Sequence, residues 1–249
     1  MKTSLRVARV LALSLGLIAA ATGFGGRAAV AGEAVQPAVG SAPFEGRLVF
    51  SIFRKGDEIG RHVIVFRRRG DVLEVTTRTR IAITAAFFTL YRFEHRSREE
   101  WRDGKLVALD ARTDDNGEVV TVNARAVGGR LEINGGGRPL FAPGDVVPES
   151  LWSRAFLGHK TVMNPLDGAQ SGLAVKAAGI DWIDAGGSSL RTERYVVSGT
   201  RNCELWFASN RLLAKMRFQV KDSSWIEFVL RSPVSRHLVD TADATFPNG

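Results

Sequence analysis

From Phe44 onward, apolar and polar residues trade places at every second position, in runs of roughly 8–12 residues that each stop at a turn signal, the pattern of antiparallel β-sheet. Phe44 to Arg54 places Phe44, Leu48, Phe50 and Ile52 on one face, and Lys55-Gly56-Asp57 turns the chain. Glu58 to Arg69 follows, with Ile59, Val63 and Val65 on one side and His62, Ile64 and Phe66 on the other. After Gly70-Asp71, Val72 to Ile83 is rich in β-branched residues, which suit a pleated, half-buried surface. The apolar Ala85-Ala86-Phe87-Phe88 leads into a long strand with Tyr91, Phe93, His95 and Trp101 on one face and Arg92, Glu94, Arg96 and Arg98 on the other.

Turn chemistry fixes several hairpins. Arg102-Asp103-Gly104-Lys105 is one. Asn116-Gly117, inside Asp114-Asp115-Asn116-Gly117, supplies the positive φ angles of a type I′ turn and pairs Leu106 to Thr113 with Val119 to Val127. Gly128-Gly129 and Gly135-Gly136-Gly137 bracket a short strand, Arg130 to Asn134. Strands resume at His159 to Met163, Leu173 to Ile183, Arg191 to Ser198, Asn202 to Ala208, Arg211 to Val220 and Ser224 to Arg231. Between the halves, Pro148-Glu149-Ser150-Leu151-Trp152 to Leu157 predicts a helix of two to three turns, opened by Pro148 and closed by Gly158. The expected fold is therefore mainly β, an antiparallel curled sheet or half-open β-barrel with one short helix as plug or lid. No repeat or long linker divides it, so residues 44–239 read as a single β domain. Residues 32–43 read as a flexible lead-in and 240–249 as a disordered tail.

The N-terminal pattern is different. Lys2, Arg6 and Arg9 precede an uncharged stretch from Val10 to Gly26, and Ala29-Val30-Ala31 offers a small-x-small cleavage site. Residues 1–31 are thus expected to be a secretory signal peptide, with an uncleaved anchor as the competing reading. The expected destination is the periplasm, with a mature form that does not span the membrane. Removing the four basic residues of that segment leaves 30 Lys and Arg against 26 Asp and Glu, a net charge of +4 instead of +8. So weak an excess argues for solubility or a loose preference for anionic surfaces, and gives no argument for nucleic acid. Arg67-Arg68-Arg69 before the Gly70 turn is either a solvated strand end or a docking patch for an anionic lipid or an envelope protein partner. Cys203, the single cysteine, excludes an internal disulfide and alternates with Leu205 and Phe207 as a buried small hydrophobe would.

Candidate chemistry is thin. The chain has no Gly-x-Ser-x-Gly elbow, no paired histidines at metal-ligand spacing among His62, His95, His159 and His237, and no dinucleotide fingerprint around its glycines. No catalytic residue, metal or cofactor is expected. The aromatic side chains are more informative, because curled antiparallel sheets of this size commonly enclose an apolar pocket. Tyr91, Phe93, His95, Trp101 and Trp152 are the candidate ligand-binding residues, with a filled aromatic core as the alternative.

The order of motifs adds a resemblance. Gly60 before His62, Tyr91-Arg92-Phe93-Glu94-His95 leading to Glu100-Trp101, Thr113-Asp114-Asp115-Asn116-Gly117, Pro148-Glu149-Ser150-Leu151-Trp152, and Ser198-Gly199 followed by Leu205-Trp206 resemble an uncharacterised family of exported bacterial β proteins, a domain of unknown function, over about residues 44–231. That family implies no activity and no functional residue. More distantly, the layout is similar to periplasmic lipoprotein carriers, which resemble an unclosed β-barrel with a helical lid over an apolar cavity. The expected role is non-enzymatic binding or carriage of a lipid or other hydrophobic small molecule. The alternative is a structural or accessory envelope protein acting through its Arg-rich surface.

Overall fold

The computed structural model describes residues 45–85, 88–135, 139–185, 187–199, 201–209 and 211–234. The expected signal peptide (1–31), lead-in (32–43) and C-terminal tail (240–249) lie outside these residues. A long antiparallel meander dominates. Its first arm comprises β1 (Gly46–Arg54), β2 (Asp57–Arg69), β3 (Val72–Ala85), β4 (Phe88–Arg102), β5 (Lys105–Asp115), β6 (Glu118–Val127), β7 (Arg130–Gly135) and β8 (Leu140–Pro143). After a crossing segment, the second arm comprises β12 (Ala174–Ala185), β13 (Ser188–Ser198), β14 (Asn202–Ala208), β15 (Leu213–Gln219) and β16 (Trp225–Val234). The arms join where β16 pairs with β1, giving one 13-stranded sheet in the order β12-β13-β14-β15-β16-β1-β2-β3-β4-β5-β6-β7-β8. Its terminal strands β12 and β8 are not hydrogen-bonded to each other, so the curled sheet is open.

The turns follow their residue chemistry. Asn116 and Gly117 take φ of 54° and 96°, and Gly128 and Gly129 take 56° and 76°, the left-handed pairs that a two-residue hairpin needs to match strand twist. Period-two alternation then decides the faces. Leu48, Phe50, Ile52, Ile64, Phe66, Leu73, Val75, Trp101, Leu109, Leu205, Phe207 and Phe228 are buried in one core cluster running from Leu48 to Leu230. On the outer face of β4, Arg92, Arg96 and Arg98 are exposed and pair with Glu94, Glu74 and Glu100.

The crossing segment corrects one expectation. Pro148 to Leu157 forms no two- to three-turn helix: Val147–Pro148 is a short strand, β9, and only Arg154–Gly158 winds, as a single 3₁₀ turn. Leu151 explains the break, since its φ of 62° lies in the left-handed region and cannot continue a right-handed helix. β9 pairs in parallel with β10 (Thr161–Met163), which pairs antiparallel with β11 (Gln170–Gly172), making a small second sheet. This segment packs into the hollow of the large sheet. Trp152 meets Phe66 of β2 and Trp101 of β4 edge-on, at centroid distances of 5.5 and 5.9 Å. Thr113 of β5 donates a hydrogen bond of 3.5 Å to the Leu166 carbonyl. At β7, a Cβ added to Gly135 would sit 2.6 Å from the Asp167 carbonyl oxygen, so the glycine permits the backbone contact there.

Candidate functional site

Between the inner face of the sheet and the crossing segment lies a cavity of about 80 Å³. Its polar wall is built by register. Phe50 of β1 stands opposite His62 of β2, His62 opposite Thr79 of β3, Thr79 opposite His95 of β4, and His95 opposite Thr113 of β5. The row therefore alternates His and Thr along the direction of the backbone ladder. His62 Nδ1 bonds Thr79 Oγ1 at 2.8 Å, and His95 Nδ1 bonds Thr113 Oγ1 at 3.0 Å. The Thr113 hydroxyl can donate to the Leu166 carbonyl at 3.5 Å while accepting from the Nδ1–H tautomer of His95, or donate to His95 Nδ1 instead. Burial, and the neighbouring positive charges, push both imidazoles down, to about 3 at His62 and about 4 at His95, so both are neutral at physiological pH.

One step further along the strands are Thr77 and Ser97, cross-strand partners on β3 and β4. Thr77 is buried and lines the cavity, yet its hydroxyl has no hydrogen-bond partner among the described residues. The crossing segment contributes Glu149 and Ser150, and the β13–β14 connection contributes Arg201. Burial raises the Glu149 carboxyl to about 7, against the pull of the Arg201 charge. The Arg201 guanidinium lies 5.0 Å from the Phe218 ring. The remaining walls are apolar: Phe50, Ile81, Phe93, Met216, Phe218 and Phe228. The cavity thus has one polar end and one greasy side.

A second buried group lies beside it. Glu99 of β4 is fully buried and accepts hydrogen bonds from Trp101 Nε1 at 2.8 Å, from Trp152 Nε1 at 3.2 Å and from the Ser150 hydroxyl. Burial pushes its carboxyl above the usual range and the three donors pull against that shift. These bonds tie the crossing segment to β4.

The five sequence candidates divide on this geometry. Phe93 and His95 line the cavity. Trp101 and Trp152 are packed against each other around Glu99, and Tyr91 is buried with its hydroxyl donating to Asp115 Oδ1 at 2.6 Å. Arg67, Arg68 and Arg69 are exposed at the end of β2, far along the sheet from the cavity row, and Arg69 is 4.0 Å from Glu74. His62, Thr77, Glu99, Glu149 and Arg201 were not legible as site residues. A signal did exist for Glu99: period two along β4 puts it on the face of Tyr91, Phe93, His95, Ser97 and Trp101, the one carboxyl on a buried stripe. Nothing local in the sequence brings Glu149 and Arg201 to that face. Among the described residues no group of three or more His, Cys, Asp or Glu gathers for a metal ion, and no helix is long and apolar enough to cross a membrane. Cys203 is buried, and its thiol is pushed up to about 12.

A second concavity, of about 500 Å³, lies on the outer side of the sheet, where Asp184, Ala185, Ser188 and Ser189 of the β12–β13 hairpin approach Ser51, Phe53, Val229 and Arg231. It is larger but open, and it lacks the buried His62, Thr77, Thr79, His95 and Glu149 that line the inner cavity.

Comparison with known proteins places this geometry. A protein-family model described as a domain of unknown function, DUF6134, matches residues 50–231. The chain is similar in structure to a β-barrel-like protein of the domain of unknown function DUF1849 from Brucella abortus, with a TM-score of 0.54, 13% identity, and coverage of 75% of this chain and 95% of that one. At that identity the likeness shows the fold. A chain described as a "putative lipoprotein" from Parabacteroides distasonis aligns at a TM-score of 0.28 and 8% identity over 78% of this chain and 98% of its own, too weakly to support any argument. None of the curated proteins matches the chain.

Proposed function

The chain belongs to the DUF6134 family, and from that premise we propose that it is an exported, periplasmic, non-enzymatic protein that binds or carries an amphipathic, lipid-like ligand inside the curled sheet. One observation carries this reading. The interior is neither filled nor uniformly apolar: a cavity walled by Phe50, Phe93, Met216, Phe218 and Phe228 ends on His62, His95, Thr77, Glu149 and Arg201. Ligand sites are mostly apolar with a few convergent polar groups, and this cavity has that composition. Export is supported by the basic, apolar and small-residue zones of residues 1–31, and residues 44–239 would act as one unit after their removal.

At about 80 Å³ the cavity is smaller than the roughly 300–1,000 Å³ of sites that hold drug-sized ligands. A long-chain ligand therefore requires the crossing segment to yield. That segment would act as the lid expected from the sequence, though built from short strands and a single 3₁₀ turn.

The test is mass spectrometry of organic extracts from the purified protein, together with titration by an apolar fluorescent probe. Co-purified amphiphile, or probe fluorescence that rises on binding and falls on competition, supports the reading. A protein that yields no extract and leaves the probe dark rejects it. The alternative, docking through Arg67-Arg68-Arg69, has the exposure of Arg67 and Arg68 in its favour. Charge-reversal of these residues abolishing binding to anionic vesicles, with probe binding absent, would support it instead.

A further inference from the structure

We infer that the polar end of the inner cavity is a receptor for a single carboxylate, so that the ligand is a monoanionic, single-tailed amphiphile. This inference rests on the cavity-binding reading above and names the ligand's head group.

Three independent features point there. First, Thr77 is 6% exposed, faces the cavity and has a hydroxyl without a hydrogen-bond partner among the described residues. An unsatisfied buried hydroxyl costs free energy unless a ligand or water completes it. Second, Arg201 brings the one permanent charge of the lining, and among the described residues it forms no direct ion pair; its guanidinium lies 5.0 Å from the Phe218 ring. Guanidinium matches a carboxylate in plane and charge. Third, the imidazoles of His62 and His95 are buried in the wall and bonded through Nδ1 to Thr79 and Thr113, and burial holds them neutral, so they add no further charge.

Charge balance then sets the head group. One guanidinium neutralises one negative charge, and a dianionic phosphomonoester would leave a charge uncompensated in a site shielded from water. Glu149 is the group that must respond. It shares the lining with Arg201, whose charge acts on it, and with the neutral imidazoles of His62 and His95, and its own charge is felt by the buried Cys203 thiol. A carboxylate arriving at Arg201 favours the protonated form of Glu149, which then offers a hydrogen-bond donor to the ligand. Binding is thereby coupled to uptake of one proton. Beyond the head, Phe50, Met216, Phe218 and Phe228 provide a wall for one aliphatic tail.

The experiment compares octanoate and laurate with octanol, dodecanol and dodecyl phosphate as competitors of an apolar fluorescent probe, in wild type, Arg201→Gln, Arg201→Lys and Thr77→Val. At about pH 7.5, where dodecyl phosphate is mainly dianionic, carboxylates should bind at least about tenfold more tightly than alcohols of equal length, the size of one charge-assisted hydrogen bond. Arg201→Gln should erase that preference by weakening carboxylates far more than alcohols, Arg201→Lys should keep part of it, and Thr77→Val should reduce it several-fold. Should a variant fail to fold, wild-type calorimetry in two buffers of different ionisation enthalpy decides the matter: at about pH 8, where Glu149 starts mostly ionised, laurate should take up most of one proton and dodecanol none. Alcohols binding as tightly as carboxylates, or the phosphate binding best, overturns the head-group assignment and leaves the cavity reading standing. Failure of every amphiphile to compete overturns both.

Discussion

Glu99 shows what a buried charged side chain can do for a fold without any chemistry of its own. Its carboxyl is the shared acceptor for the indole N–H of Trp101, two residues along its own strand, and for the Ser150 hydroxyl and Trp152 indole N–H, 51 and 53 residues away on the crossing segment. Replacing it by Leu strands both indoles in the core. Glu99→Leu should cost roughly 2–4 kcal/mol in urea denaturation, and Glu99→Gln, which keeps an acceptor, distinctly less. The histidines make a prediction of the opposite kind. His62 and His95 are held neutral, at about 3 and about 4, while an unfolded chain protonates them near 6.5. The stability that follows is complete above about pH 6.5 and is lost as pH falls toward those lowered values. A His62→Gln, His95→Gln double variant should flatten the decline of the urea midpoint between about pH 6.5 and pH 4. An unchanged decline would show that the two rings are not the titrating groups. Glu149 has the reverse sign. Raised to about 7, it stabilises fully below its unfolded value and progressively less as pH rises through neutrality, so Glu149→Gln should lift the midpoint selectively at alkaline pH. At this scale the sequence was only partly legible. Alternation named Phe93 and His95 because both sit on a long, regular strand. It could not name Arg201 or Glu149, because loops bring them to the cavity and no periodicity links a loop residue to a sheet face.

Single elements carry the next lesson. Most strands were readable because their turns are chemically explicit: Asn116-Gly117 and Gly128-Gly129 can hardly do anything else. The crossing segment was misread because Pro148 and Gly158 bracket a helix-length run, while the fold spends that run on burying Trp152 and Phe156 and breaks it at Leu151. β8, β9 and β11 were missed outright. They have four, two and three residues, too short to show alternation. Within β2, Gly60 has a role that pattern reading cannot assign. A Cβ there would fall 2.1 Å from the Arg80 carbonyl oxygen on β3, a backbone contact that no side-chain adjustment relieves. Gly60→Ala should destabilise by about 2 kcal/mol or more, seen as a lower urea midpoint, whereas Ala at Asn134 on the exposed side of β7 should change it little. Gly135 is the comparable position for the crossing segment, where Asp167 approaches β7.

The whole molecule is an open sheet around a segment held in its hollow, and its interior is too small as it stands for a long tail. Function on the proposed reading therefore requires motion of residues 144–173 relative to the large sheet. Amide hydrogen exchange should show Asn164 to Leu173 opening more readily than β1 to β4, and laurate should alter exchange in that segment while leaving β6 and β13 unaffected. Uniform protection across all these regions would mean the hollow does not open. Trp152→Ala removes the aromatic contacts with Phe66 and Trp101 and should both lower stability, by roughly 3–5 kcal/mol, and speed ligand entry in stopped-flow mixing.

One feature of this architecture governs how the chain reaches its native state. β1 is bonded along its free side to β16, and the Ser51–Arg231 contact across that seam closes a loop of 180 residues. A strand at the head of the first arm must wait for a partner 180 residues further along. Each arm can zip up locally through its hairpins, but the seam joins residues far apart in the chain, so docking of the two arms is the step expected to limit refolding and the point at which a partly folded chain offers an unpaired edge to its neighbours.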